Sequence, residues 1–413
     1  MRDLIALTVR PDIISFAGGL PATDRLPVAE LHSCFDAVLT RDGARALQYG
    51  PPYTPLLDLI AAHMRSRGVA CSAENVFITS GAQQAMEILA RLLLDPNDVI
   101  ALESITFTGI IQLAQVHEAS ARAVPVDEET GVDVDALEEA LAREPRPRFG
   151  IVVPDFHNPL GASLPVAKRM RIAEMAATHG VPIVEDDPYS MSRFEGPAAA
   201  PIKAYDAVGA VVYVGSFSKI MAPAMRLGWI VASPEILKRF IPLREAIDLE
   251  SSQLIQRVVA EFMSRGHLEP YLAQLREANR ERRNTMLAAL DRHLRGMATW
   301  TVPQGGLFLW LRLPESIDTM KMFEAALARQ TAYIPGSAFA LVGGQHNTMR
   351  LNFSNCSPER ISEGVGRLAQ VIKEQLDART TGTPQARRVD DAPQSNGVFS
   401  TPAGCSASGR ADR

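Results

Sequence analysis

The sequence predicts an α/β protein: a mostly parallel sheet covered by helices on both faces, followed by a smaller α+β domain. Three observations predict it. Strand-like and helix-like segments alternate from about residue 76 to residue 231. Five clusters of unusual residues, at Ser80, Phe107, Asn158, Asp186 and Lys219, each follow directly on a predicted strand. Ligands of open α/β sheets collect at those strand ends. Finally, 413 residues with 46% apolar and 22% charged side chains can bury two cores.

The elements can be justified in order. Residues 13–21 read as an extended run in which Gly18 and Gly19 let the backbone approach a ligand closely, a plain turn being the alternative. Residues 27–40 have helical spacing in Val28, Leu31, Phe35, Val38 and Leu39. Residues 47–53 form a loop, and 56–66 a second amphipathic helix. A short strand at 76–79 leads into Ser80, Gly81, Ala82 and Gln83, which open a helix. Its N–H groups and positive dipole end suit an anion. Further strands are expected at 98–101, 122–126, 149–153, 182–185, 208–214 and 230–231, with helices at 110–119, 132–141 and 165–179. Helices at 235–249, 252–264 and 267–294 lead out of this region. Strands at 298–302, 306–313, 331–334 and 349–353, with helices at 319–329 and 358–377, make the smaller domain. After residue 378 the composition turns to Gly, Pro, Ser, Thr, Asp and Arg, which predicts a disordered tail.

Chemistry concentrates after the strand at 208–214. Lys219, set among Ser, Met, Ala and Pro, loses hydration, and its neutral amine is favoured. Such an amine is a nucleophile that forms a Schiff base with an aldehyde. Ser216, Ser218 and Arg226 supply donors and a positive charge suited to phosphate. Aldehyde plus phosphate suggests pyridoxal phosphate (PLP). A solvated lysine in a loop is the alternative.

Charge and composition exclude several classes. The net charge of −5 gives no reason to expect nucleic-acid binding. The four cysteines (Cys34, Cys71, Cys356, Cys405) have no metal-like spacing, so no metal is expected, and they fit free thiols of a reducing compartment. The apolar run at the start is too short for a signal peptide, and no later stretch is long enough to span a bilayer. A cytoplasmic protein is expected.

Taken together, the motifs SFAGGLP (15–21), TSGAQQ (79–84), PDFHNPLG (154–161), VEDDPY (184–189), GSFSK (215–219) and RLNF (350–353) stand in a familiar order. Over about residues 10–377 the chain resembles the fold-type I PLP-dependent aminotransferases of class I/II. It is most similar to the branch that holds 2-aminoadipate aminotransferases and the aminotransferase-like bacterial regulators. The resemblance implies a seven-stranded, mostly parallel sheet in a large PLP-binding domain (46–290) and a C-terminal small domain (291–378). A segment at 1–45 would serve the small domain and the substrate site, and 379–413 would be the tail.

It also implies roles. Lys219 would hold PLP as an internal aldimine and then move the proton from substrate Cα. Asp186 would bind the pyridine nitrogen, in preference to Asp187, because the pattern reads Asp-x-x-Tyr and ends at Tyr189. Tyr189 and Asn158 would reach the cofactor's phenolic oxygen, and Phe107 would stack on the ring. Ser80, Gly81, Ala82, Gln83, Ser216, Ser218 and Arg226 would hold the cofactor at its phosphate end. Tyr49 would reach the phosphate of a neighbouring subunit, which implies a homodimer with shared active sites. Arg350 would grip the substrate α-carboxylate as a bidentate fork, with Gly18 or Gly19 assisting and Asn158 alongside.

Two departures bear on substrate. The loop from Tyr49 to Leu57 is shorter than the family pattern and ends in leucine, and His157 replaces the usual amide before Asn158. Arg25 lies close to where the aminoadipate branch places an arginine for a side-chain carboxylate, which would favour an acidic substrate. The expected reaction moves an amino group from an L-amino acid to a 2-oxo acid by ping-pong chemistry. A PLP-dependent lyase, decarboxylase or oxidase would use the same Lys219 and Asp186. A non-catalytic ligand sensor is a more distant alternative.

Overall fold

The computed structural model describes residues 12–380. The expected tail falls outside them from residue 381 on, its first two residues ending the last helix, and the first eleven residues of the N-terminal segment fall outside them too. In chain order, β1 (Ile14–Ser15) precedes the helices Val28–Asp42 and Thr54–Ser66. Then β2 (Val76–Thr79), helix Ala82–Leu93, β3 (Val99–Glu103), helix Thr108–Val116 and β4 (Ser120–Val124) alternate. A small hairpin, β5 (Val126–Asp127) and β6 (Gly131–Val132), leads to helix Val134–Ala142, β7 (Gly150–Val152), helix Val166–His179, β8 (Ile183–Asp187), β9 (Val211–Ser216) and β10 (Gly228–Val231). The helices Pro234–Asp248, Gln253–Ser264 and Leu268–Leu294 follow. The C-terminal part holds β11 (Thr299–Trp300), β12 (Phe308–Arg312), helix Thr319–Ala328, β13 (Thr331–Ala332), β14 (Ile334–Pro335), β15 (Thr348–Asn352) and helix Pro358–Thr380.

Seven strands form the main sheet in the order β2-β10-β9-β8-β7-β3-β4. Only β10 runs against its neighbours, pairing antiparallel with both β2 and β9. Strands β3 and β8 are buried at all five positions, with no in–out alternation. That is the pattern of a parallel sheet covered on both faces. On one face Ile100, Leu102, Val184 and Val214 pack on Met86, Leu89, Leu113 and Phe240. On the other, Val152, Ile183 and Val211 meet Leu137, Ile172 and Ala173. A second core surrounds the four-stranded sheet β11-β12-β15-β14, and Ile13, Ile14 and Phe16 from the N-terminal segment are built into it. At 25 cal/mol per Å², each such fully buried side chain contributes roughly 1.5–3 kcal/mol.

Three details differ from the sequence-based expectation. The strand expected at 208–214 starts at Val211, because Asp206 collects the amides of Val208, Gly209, Ala210 and Val211 at 2.9–3.2 Å and makes a turn there. It then runs on to Ser216, where Gly215 lies under the ring of Trp229 so closely that a Cβ would sit 2.3 Å from it. The strand expected at 331–334 is split: Thr331–Ala332 pairs parallel with β1, while Ile334–Pro335 pairs antiparallel with β15. The β5–β6 hairpin was not foreseen. Asp127 makes it by accepting the Glu129 and Thr130 amides at 3.0 and 2.7 Å, ahead of Gly131 at φ 71°.

Candidate active site

The carboxyl ends of β3, β7, β8 and β9 open into one cavity of about 850 Å³, closed from the other side by Gly18, Gly19, Leu20 and the C-terminal sheet. This is a volume suited to a cofactor-sized ligand. Lys219 follows β9 and reaches across it, its Nζ donating to the Gly19 carbonyl at 2.6 Å. Burial, then the positive charges of Arg350 and Arg226, push its pKa down to about 8. A neutral, nucleophilic amine is therefore accessible near neutral pH.

Strand alternation separates the three acids of β8. Glu185 accepts the amides of Ile202 and Lys203 at 2.7 and 2.8 Å. Asp187 is held by Arg67 at 2.9 Å, by the Tyr213 hydroxyl at 3.0 Å and by Ser190. Asp186, between them, lines the cavity instead, and its Oδ1 is buried without a partner. Burial, then the negative charges of Asp187 and Glu103, push its carboxyl up to about 7. A buried acceptor left empty costs about 1–3 kcal/mol, so this atom is suited to a donor brought by a ligand.

Arg350, on β15, donates to Asn158 Oδ1 at 2.8 Å and to the Ala17 carbonyl at 2.5 Å. Its guanidinium carbon lies 4.2 Å from the Phe308 ring centroid and 4.9 Å from that of Phe339. Its Nε has no partner, and burial lowers its pKa to about 10. Tyr189 packs edge-on to Phe308, with ring centroids 6.0 Å apart, and burial raises its phenol pKa. Asn158 and Tyr189 both line the cavity.

At its other end the helix Ala82–Leu93 starts without a side-chain cap after Gly81, whose φ is 93°. Ala82 and Gln83 line the cavity there with Ser216, Ser218 and Arg226. Arg226 is fixed by the Ser80 carbonyl at 3.1 Å and by Ser218 Oγ at 3.5 Å. A Cβ on Gly81 would meet its Nη2 at 2.7 Å. An uncapped helix start beside an arginine and two hydroxyls fits a phosphate.

Four expected residues stand elsewhere or at the edge. The Ser80 hydroxyl donates to Asp248 at 3.0 Å, so this residue meets the site through its carbonyl. Phe107 lines the cavity and is 36% exposed. Tyr49 is 75% exposed and belongs to a separate depression with Gln253 and Arg257. Arg25 lies outside the cavity lining, its side chain 49% exposed beside Asp24 at 3.3 Å. Sequence reasoning missed Leu20, Met86, Ile334, Phe339 and Asn355, which also line the cavity. Leu20 falls within the SFAGGLP motif, where attention went to the glycines, and the others come from segments scattered along the chain.

The donor set fits PLP: an empty buried carboxylate oxygen for the ring nitrogen, a depressed lysine for the aldehyde and a phosphate cradle. The sequence matches the family model for aminotransferase class I and II over residues 11–368. It is 38% identical to an aromatic-amino-acid aminotransferase of Thermococcus litoralis over 91% of this chain and 92% of that one. It is equally 38% identical to a 2-aminoadipate transaminase of Thermus thermophilus over 90% and 93%. A solved kynurenine aminotransferase of Pyrococcus horikoshii, in complex with PMP, superposes with a TM-score of 0.87 at 36% identity, covering 91% of this chain and 94% of that one. The likeness extends through both cores and all strand ends that carry the cavity, and the chain thus belongs to the class I and II aminotransferases, PLP-dependent enzymes that pass an amino group between amino acids and 2-oxo acids.

Proposed function

We propose that this chain carries out transamination with Lys219 as the covalent anchor of PLP and as the base that removes the proton from substrate Cα. The observation that carries this reading is the setting of Lys219: a buried amine with a pKa near 8, sharing one cavity with the unpartnered Asp186 oxygen and with Arg350. When bound, PLP supplies an electron-withdrawing ring that takes up the electron pair left on Cα. Asp186 is suited to hold a proton on the ring nitrogen, which keeps that ring withdrawing. Asn158 and Tyr189 would hold the phenolic side of the cofactor, and Phe107 would lie against its ring. Ala82, Gln83, Ser216, Ser218 and Arg226 bind the phosphate. Arg350 presents its guanidinium, fixed by Asn158 and Ala17, to the substrate carboxylate.

The same reading takes the molecule as a cytoplasmic homodimer. Tyr49 supports the dimer: it is exposed and lines no part of its own cavity, and its loop is held by Gln253 at 2.7 Å from the Gly50 carbonyl. It would serve the cavity of a second copy. Cys34, Cys71 and Cys356 are free and buried, consistent with a reducing compartment. Among the described residues, no helix is long and apolar enough to cross a membrane.

The test is the visible absorption spectrum of the holoenzyme before and after addition of L-amino acids. The visible cofactor band should be converted by a donor to the amine form of the cofactor and restored by a 2-oxo acid. Lys219→Ala should lose the band and the turnover together. A Lys219→Ala variant that keeps the wild-type band would sink the assignment.

A further inference from the structure

We propose that Glu103 and His157 are positioning residues for the reaction: a buried pair that fixes the loop carrying Asn158 and, through Asn158, the Arg350 fork that meets the substrate carboxylate. This rests on the site assignment above, which uses neither residue. Val153 and Asn158 line the cavity, whereas Glu103 and His157 lie off its lining, 1% and 0% exposed.

The contacts run from the main sheet to the C-terminal one. Strands β3 and β7 pair at Ala101–Gly150 and Leu102–Ile151. One residue on, the Glu103 side chain takes over: its Oε2 accepts the Val153 amide at 3.1 Å and stands 3.2 Å from His157 Nε2. A carboxylate only accepts, so His157 carries a proton on Nε2. The His157 backbone is fixed as well, its amide donating to the Ala162 carbonyl at 2.8 Å and its carbonyl accepting from the Gly161 amide at 2.6 Å. Asn158 follows directly, and its Oδ1 accepts from Arg350 at 2.8 Å. Glu103 thus sets the ring of His157, His157 sets where Asn158 starts, and Asn158 sets the guanidinium.

Stability does not explain the pair. Glu103 Oε1 and His157 Nδ1 are both buried without a partner among the described residues. Hydrogen bonds left unmade in this way are costly, and a buried ionisable pair is often matched or bettered by apolar side chains of the same size. What an apolar pair would lack is direction. The Glu103–His157 contact has one donor and one acceptor, and it holds the ring in one orientation where packing alone would allow several. That direction matters at the next residue, because Arg350 is held by Asn158 and by the Ala17 carbonyl. A shift of about 1 Å in Asn158 would turn the fork away from the carboxylate.

The experiment measures KM and kcat for each donor that converts the visible band of the holoenzyme, together with Tm, in variants of the pair. Glu103→Gln/His157→Phe keeps an acceptor for the Val153 amide, fills the space of the ring and leaves no buried charge. It should fold with a Tm close to wild type. It should still raise KM about ten-fold for every donor, with a smaller change in kcat, because the lost alignment is that of the carboxylate fork. His157→Gln, whose amide N–H reaches as far as Nε2, should keep KM within about three-fold of wild type. His157→Asn, an amide too short to reach Glu103, should behave like the double variant, and it carries the test if the double variant does not fold. A wild-type KM in the double variant or in His157→Asn overturns the proposal, as does a His157→Gln enzyme that loses as much as His157→Asn. A wild-type band that no donor converts is a different failure: it overturns the transaminase site assignment, and the proposal falls with it.

Discussion

Arg350 and Asn158, 192 residues apart in the chain, meet through a 2.8 Å hydrogen bond inside the cavity. The bond aligns the guanidinium fork while the Phe308 and Phe339 rings hold its faces. A lysine at this position would keep one charge but lose the fork and both ring contacts. We expect Arg350→Lys to lower kcat/KM about a hundred-fold for every amino acid tested, with the cofactor band and Tm close to wild type. A loss confined to one donor would argue against a carboxylate role.

The two neighbouring aspartates of β8 should behave in opposite ways. Asp187 is fully buried and paired with the partly covered Arg67, so Asp187→Asn breaks a largely desolvated pair and should cost about 3 kcal/mol, read as a large drop in Tm. Asp186→Asn should leave the cofactor-free protein folded but remove most turnover. Equal Tm losses would contradict the separation of roles.

Asp186 also sets a pH dependence. Its folded pKa of about 7 lies above the ordinary 3.8, so the unfolded chain gives up this proton first as pH rises. Between those values the native state binds more protons, and stability falls with rising pH. The cofactor-free enzyme should therefore lose stability from about pH 4 to pH 7, by an amount on the order of a few kcal/mol. Asp186→Asn should reduce the slope of that part of the profile in denaturant titrations, the rest belonging to Glu185, which burial and then Asp187 also raise to about 7.

Lys219 is depressed from 10.5 to about 8, and only its neutral form attacks an aldehyde. The rate at which cofactor-free enzyme binds PLP covalently should rise with pH through a midpoint near 8. A profile still rising steeply at pH 10 would show that the amine is not desolvated.

Gly215 is the tightest point of β9. A methyl there would sit 2.3 Å from Trp229 ring atoms, and overpacking of this kind costs about 1–3 kcal/mol. Gly215→Ala should lower Tm by several degrees, and an unchanged Tm would mean the indole has room to move.

The surroundings of Lys219 suggest an aldehyde-binding amine with a solvated loop lysine as the alternative, and the preference for Asp186 over Asp187 comes from the resemblance to the family pattern Asp-x-x-Tyr. The strand–helix alternation was legible too, because buried parallel strands leave apolar runs that no neighbour needs to explain. Contacts between distant segments were not. Nothing in residues 60–70 announces that Arg67 neutralises Asp187, and nothing at 208–210 shows that Asp206 delays the strand. Sequence by itself determined the order of elements and which strand ends carry reactive side chains, since both follow from local periodicity and residue type. The tertiary structure alone decided that Gly19 receives the Lys219 amine, that Arg350 leans on Asn158, that Arg25 stays out of the cavity and that Leu20 faces it. Those facts depend on how the N-terminal segment and β15 close over the sheet, a matter of long-range packing that no local pattern encodes.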